Sequence, residues 1–144
     1  ADYVLVEADG AKGKPIKAPA EHEPCMPKGA TLVLGVVGTD AVGETLREEV
    51  FHRADLFIGQ KYYPPDSFID TNMIKTLVSW DRGLFKNSSE NARKILILNK
   101  ADDERRRNIA REIANKVLSG ASGVIPEKVI VTSFLGEGFA QVII

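Results

Sequence analysis

The sequence predicts an α/β fold: a parallel β-sheet packed between helices. Three observations lead there. Four short runs, Tyr3–Ala8, Leu32–Val37, Lys94–Leu98 and Lys128–Thr132, are rich in Val, Ile and Leu and do not alternate cleanly with polar residues. Strands buried on both faces read this way. The segments between them repeat apolar residues at helical spacing. The runs also end in polar residues, as strands do when they deliver side chains to a ligand at their carboxyl ends.

The helices follow in order. Glu44–Arg53 is a weak helix, with Leu46 and Val50 facing inward. Asp70–Trp80 is stronger, with Met73, Ile74, Leu77 and Val78 on one face. Glu104–Leu118 gathers Ile109, Ala110, Ile113, Ala114, Val117 and Leu118. Asp102 or Asp103 caps its start and Gly120 follows its end. Strand–helix–strand alternation implies right-handed crossovers. Gly10–Gly29 carries Pro15, Pro19, Pro24 and Pro27 and reads as a long ordered loop. Asp81–Arg93 reads as an exposed connection.

Composition sets the outer bounds. The 144 residues are one domain or part of one. Apolar residues make up 44% and charged residues 27%, enough for a globular core. A net charge of −1 offers no field that would attract nucleic acid or an anionic membrane. No apolar run approaches the roughly 20 residues of a membrane span. A single cysteine, Cys25, forms no internal disulfide and suits a reducing compartment, so a cytoplasmic location is expected. The chain opens on Ala1-Asp2 and then a strand, without Met or signal peptide, which suggests a missing upstream part.

The most informative motif is Asn99-Lys100-Ala101-Asp102, at the end of the third apolar run. An Asn-Lys-x-Asp set there can read a guanine ring. The Asp carboxylate accepts from the ring N–H and the exocyclic amine. The Asn amide answers the N7/O6 edge, and the Lys stem covers the base. Adenine presents the opposite pattern and is rejected.

Two further strand ends support this. The first run ends in Glu7-Ala8-Asp9-Gly10, a Walker B arrangement in which Glu7 or Asp9 holds Mg²⁺ and Gly10 admits a γ-phosphate. The fourth run ends in Thr132-Ser133 and Gly136-Glu137-Gly138. Ser133 there would support the guanine oxygen through its backbone N–H, and the glycine turn would start a last helix. Together these define a three-layer, P-loop NTPase-like (Rossmann-like) domain.

One part is absent. No G-x-x-x-x-G-K-[ST] occurs, and Gly10-Ala11-Lys12-Gly13-Lys14-Pro15 has the wrong spacing. In such folds the strand bearing that loop lies between the strands that Tyr3–Ala8 and Leu32–Val37 would form. The expectation is therefore a C-terminal portion whose first strand, loop and helix lie upstream.

Other candidates are weaker. His22, Cys25 and His52 are soft-metal ligand types without tight spacing. Cys25 reads better as a small buried hydrophobe and His22 as a polar anchor of its loop. Arg105-Arg106-Arg107 falls on the solvent face of its helix and, at this net charge, does not indicate RNA.

At Val6–Gly13, Lys17–Pro24, Gly35–Gly38, Glu48–Arg53 and Leu98–Asp102 the chain resembles YqeC, a bacterial family of selenium-dependent hydroxylase accessory proteins. Members usually begin with a Gly-rich phosphate loop, which this chain lacks. The resemblance implies a role beside selenium-containing molybdenum hydroxylases or their maturation proteins, in maturing or loading the cofactor. Glu7-x-x-Gly10 is also similar to the switch motif of nucleotide-dependent metallocentre chaperones. That likeness implies that Glu7 or Asp9 positions Mg²⁺ or its water, and that Ala11–Pro27 moves with nucleotide state. The leading expectation is a GTP-dependent (second choice ATP) accessory protein, a slow NTPase when complete. The alternatives are a non-hydrolysing binding module for a guanine-containing cofactor and a protein-interaction scaffold.

Overall fold

A computed structural model describes residues 2–144. It is an α/β fold with two sheets. The larger sheet has the order β2-β4-β5-β6. Its strands are β2 (Leu32–Gly38), β4 (Arg93–Asn99), β5 (Lys128–Ser133) and β6 (Phe139–Ile143). The β2–β4 and β4–β5 pairs are parallel, and β6 is antiparallel to β5. The smaller sheet pairs β1 (Ile16–Lys17) with β3 (Phe51–His52) in parallel. The helices are α1 (Ala54–Lys61), α2 (Thr71–Ser79) and α3 (Glu104–Leu118). This parallel-dominated arrangement is compatible with a Rossmann-like fold.

The period of two along each strand divides the sheet into two unlike faces. Val33, Val37, Leu96, Leu98, Val129 and Val131 share one face and are buried. Met73, Ile74, Leu77 and Val78 of α2, and Ala110, Ile113, Ala114 and Val117 of α3, complete that core. Gly35 serves this face. A Cβ there would lie 2.7 Å from Leu84 Cδ2, so glycine lets the loop after α2 pack directly on the sheet. The register Val36–Ile97–Ile130–Val142 runs across the other face. There Leu34 is 47% exposed, and Val36 and Val142 are each 53% exposed. The expected second helical layer is not among the described residues.

Each long helix starts as its sequence predicts. Asp70 caps α2 by accepting from Met73 N at 2.8 Å. Asp103, not Asp102, caps α3, accepting from Arg106 N at 2.8 Å. Asp102 is thereby released from capping.

Three expectations are corrected. Tyr3–Ala8 forms no strand, and Tyr3, Val4, Leu5 and Val6 are exposed. Its β-propensity has no partner to act on, because a strand is stabilised by neighbours rather than by its own backbone. Glu44–Arg53 is a series of turns ending in β3, and the helix begins only at Ala54. Glu48 explains the shift. Its Oε2 accepts from Arg53 N at 2.6 Å and Ala54 N at 3.2 Å, so it caps α1 from outside. The segment after Gly138 is the antiparallel strand β6, not a helix. Gly136 and Gly138, at φ 61° and 77°, build the reversal that returns the chain beside β5.

Candidate functional site

The carboxyl ends of β4 and β5 meet at an open cleft of about 220 Å³, lined by Asn99, Lys100, Asp102, Phe134 and Leu135. The parallel register fixes this, because Leu98 of β4 lies opposite Val131 of β5. The residues that follow both strands emerge side by side. Ala101 N donates to Thr132 O at 3.0 Å and carries the pairing one step past the strand.

β5 orients both polar side chains. Thr132 Oγ1 donates to Asn99 Oδ1 at 3.0 Å. The amide oxygen is thereby used, and the NH₂ group remains to donate. Ser133 Oγ donates to Asp102 Oδ1 at 2.7 Å. Arg106 Nη1 donates to Asp102 Oδ2 at 3.2 Å. An ionised carboxylate has about four lone-pair positions, so roughly two stay available. The result is a donor beside a two-site acceptor. Guanine offers the complement: N7 and O6 accept, and N1–H and the 2-amino group donate.

Lys100 has an αL backbone, with φ 61°. Its Nζ pairs with Asp40 Oδ2 at 2.8 Å, and Thr39 Oγ1 lies 2.9 Å from Lys100 O. Thr39 and Asp40 belong to none of the sequence motifs, Thr132 entered them only as the residue before Ser133, and Arg106 was expected on the solvent face. An acid just beyond the apolar run Leu32–Val37 was the signal for Asp40, as for Asp9 at Tyr3–Ala8. Thr132 stands directly before Ser133.

The structure therefore gathers Asn99, Lys100, Asp102 and Ser133. It does not place Glu7, Asp9 and Gly10 at a strand end, because no strand precedes them. Asp9 instead forms an ion pair with Lys17, whose Nζ also donates to Gly10 O at 2.8 Å. Glu7 is exposed, with Oε1 beside Gly10. A carboxylate already matched by an ammonium is a poor metal ligand. Among the described residues no three His, Cys, Asp or Glu side chains converge on one point. The expected Mg²⁺ position thus does not fit this arrangement.

Lys17 belongs to a network that ties the strap of residues 10–29 to the start of α1. Lys17 is 9% exposed and lies 2.8 Å from Glu23 Oε2. Glu23 grips Arg53 with two bonds, of 2.6 and 3.0 Å. Burial pushes the Glu23 carboxyl up, but Lys17, the Ala20 amide and Arg53 outweigh it and hold it at about 2. Glu48 accepts from His52 Nδ1 at 2.7 Å and Lys14 Nζ at 2.9 Å. These bonds, His52 first, bring its carboxyl to about 2. His52 is therefore a buried bonding partner here. Cys25 is exposed rather than buried, and His22 is 77% exposed, its Nε2 3.9 Å from Glu23 Oε1. On α3, Arg105 is exposed, but Arg106 and Arg107 are half-buried; Arg107 lies 4.3 Å over the Phe139 ring.

No helix among the described residues is long and apolar enough to cross a membrane. No solved structure matches the chain. The profile of the YqeC protein family matches residues 1–55. The Escherichia coli (strain K12) protein named "Uncharacterized protein YqeC" is 36% identical over 99 residues, which is 69% of this chain. The chain spans 39% of that relative's length. The match takes in the strap with Lys17 and Glu23, and the chain belongs to the YqeC family.

Proposed function

We propose that this chain carries the base-reading part of a guanine-nucleotide site in an accessory protein for selenium-containing molybdenum hydroxylases. One observation carries the nucleotide part: adjacent residues of β5 fix the Asn99 amide and the Asp102 carboxylate at one cleft and leave both with bonding capacity to spare. Asp102 would accept from N1–H and the 2-amino group, Asn99 would donate to the N7/O6 edge, and the Lys100 stem would cover a ring face. Ser133 would act through Asp102, and its backbone N–H would support the base oxygen. GTP is the favoured ligand and ATP the second choice.

The phosphate half of the site would come from polypeptide beyond these 144 residues. The open apolar strip of Leu32, Leu34 and Val36 on β2 supports this, since an edge strand with such a face suits a further strand and helix. Mg²⁺ would enter with the phosphates. The hydroxylase partner, or one of its maturation proteins, rests on family membership together with the family's implied role.

The test is a titration of the full-length protein with GDP, GTP, ADP and ATP, followed by an assay for phosphate release. Binding of guanine nucleotides above adenine ones supports the base site. Release of phosphate supports an NTPase. Tight binding without release supports the second reading, a holder of a guanine-containing cofactor. Absence of binding leaves only the interaction scaffold.

A further inference from the structure

We propose that Asp40 is the positioning residue of the base cleft, pinning Lys100 so that its aliphatic stem forms a wall for a bound purine. The inference rests on the base-site reading above and adds a residue to it.

Lys100 carries a Cβ in left-handed backbone, φ 61°, a conformation that its surroundings must hold. Two neighbours just after β2 hold it. Thr39 Oγ1 lies 3.0 Å from Asn99 O and 2.9 Å from Lys100 O, which braces the main chain. Asp40 Oδ2 takes the ammonium at 2.8 Å, which braces the side chain.

The Asp40 carboxylate is itself committed to this pairing. Its Oδ1 is buried and has no hydrogen-bond partner among the described residues. A carboxylate with one oxygen cut off from water depends on its other oxygen for a counter-charge. Lys100 supplies it. Gly38 makes room for the arrangement, because a Cβ there would collide with Asp40 Oδ1 and lie 2.9 Å from Pro15 Cβ.

With Nζ anchored beside β2 and Cα anchored at the end of β4, the stem has little freedom. Lys100 lines the cleft with Asn99, Asp102, Phe134 and Leu135. A stem held in place loses less side-chain entropy when it covers a base. It touches a ring face and reads no hydrogen-bond pattern. Asp40 thus sets affinity for purines in general, whereas Asp102 sets the choice among them.

The test is calorimetric titration of the full-length protein with GDP and with inosine diphosphate, which lacks the 2-amino group. Wild type, Asp40→Asn, Asp40→Glu and Asp102→Asn are compared. Asp40→Asn should weaken both ligands alike, by about tenfold. Asp40→Glu, which keeps a carboxylate for the ammonium, should recover most of that loss. Asp102→Asn should instead narrow the gap between the two ligands. Unchanged affinity in Asp40→Asn overturns the proposal while the base site stands. So does equal loss in Asp40→Asn and Asp40→Glu in step with a lowered Tm, which marks a merely structural role. A wild type that binds neither ligand removes the base site, and this inference with it.

Discussion

Asp102 at the cleft and Glu23 and Glu48 along the strap are all bonded carboxylates, yet they differ in what they have left. Glu23 accepts from Lys17, from the Ala20 amide and twice from Arg53. Glu48 accepts from Lys14, His52, Arg53 N and Ala54 N. Each uses about the full capacity of a carboxylate. Among the described residues Asp102 accepts only from Ser133 and Arg106. The strap acids are spent on holding the chain together. The cleft acid is oriented and still able to bind. An acid near a strand end is therefore a weak sign of a site, and spare, aimed capacity is a stronger one.

That contrast can be strained from both sides. The largest effect should come from beneath the cleft. Leu98→Ala opens a cavity where β4 packs between β2 and β5, and should cost about 3 kcal/mol in urea unfolding. If the proposed base site exists, guanine affinity should fall with it, since the following residues are Asn99 to Asp102. Next comes the strap. Lys17→Met leaves Asp9 without its partner and Glu23 without one of its partners, and should cost about 2–3 kcal/mol. The guanine-to-inosine preference should be unchanged. A large change in that preference would tie the strap to base reading and erase the distinction.

The strap should also carry an acid sensitivity. Glu23 is held at about 2 in the fold against 4.5 when unfolded. The folded state binds fewer protons in that interval, so its contribution is full above about pH 4.5 and is lost as pH falls toward 2. Glu23→Gln should flatten the decline in unfolding free energy over that window. Glu48 adds to the same slope, since it too lies at about 2. The smallest effect belongs to the open face. In the 144-residue chain by itself, Val36→Thr should change stability by less than about 0.5 kcal/mol, because Val36 is 53% exposed. A loss several times larger would show that the face is covered in the measured protein.

Much of the fold was legible, for reasons that particular residues make clear. β2, β4 and β5 announce themselves as apolar runs, and α2 and α3 carry both a periodic face and an Asp cap. Asn99, Lys100, Asp102 and Ser133 were picked out by their spacing, and the register of β4 and β5 brings them side by side. Tyr3–Ala8 misled because strand composition says nothing about whether a partner is present. Leu46 and Val50, four apart, resembled a helix face, while Glu48 turned the chain through bonds to Arg53 N and Ala54 N. Phe139–Ile143 is too short for its period to show, and only the two αL glycines before it hint at the reversal. The Asp9–Lys17 pair joins residues eight apart through an irregular loop, for which no periodic rule exists. Asp40 and Lys100 are sixty apart in sequence and meet only because β2 and β4 are neighbours.

The most direct test exchanges one atom pair in the cleft. Asp102→Asn keeps the side chain's shape but turns one acceptor into a donor. In the full-length protein it should weaken guanosine diphosphate by about a hundredfold and make xanthosine diphosphate the preferred ligand, since the new amide can donate to the 2-oxo group. Equal weakening of both nucleotides, or no change in either, would contradict a base read at the ends of β4 and β5.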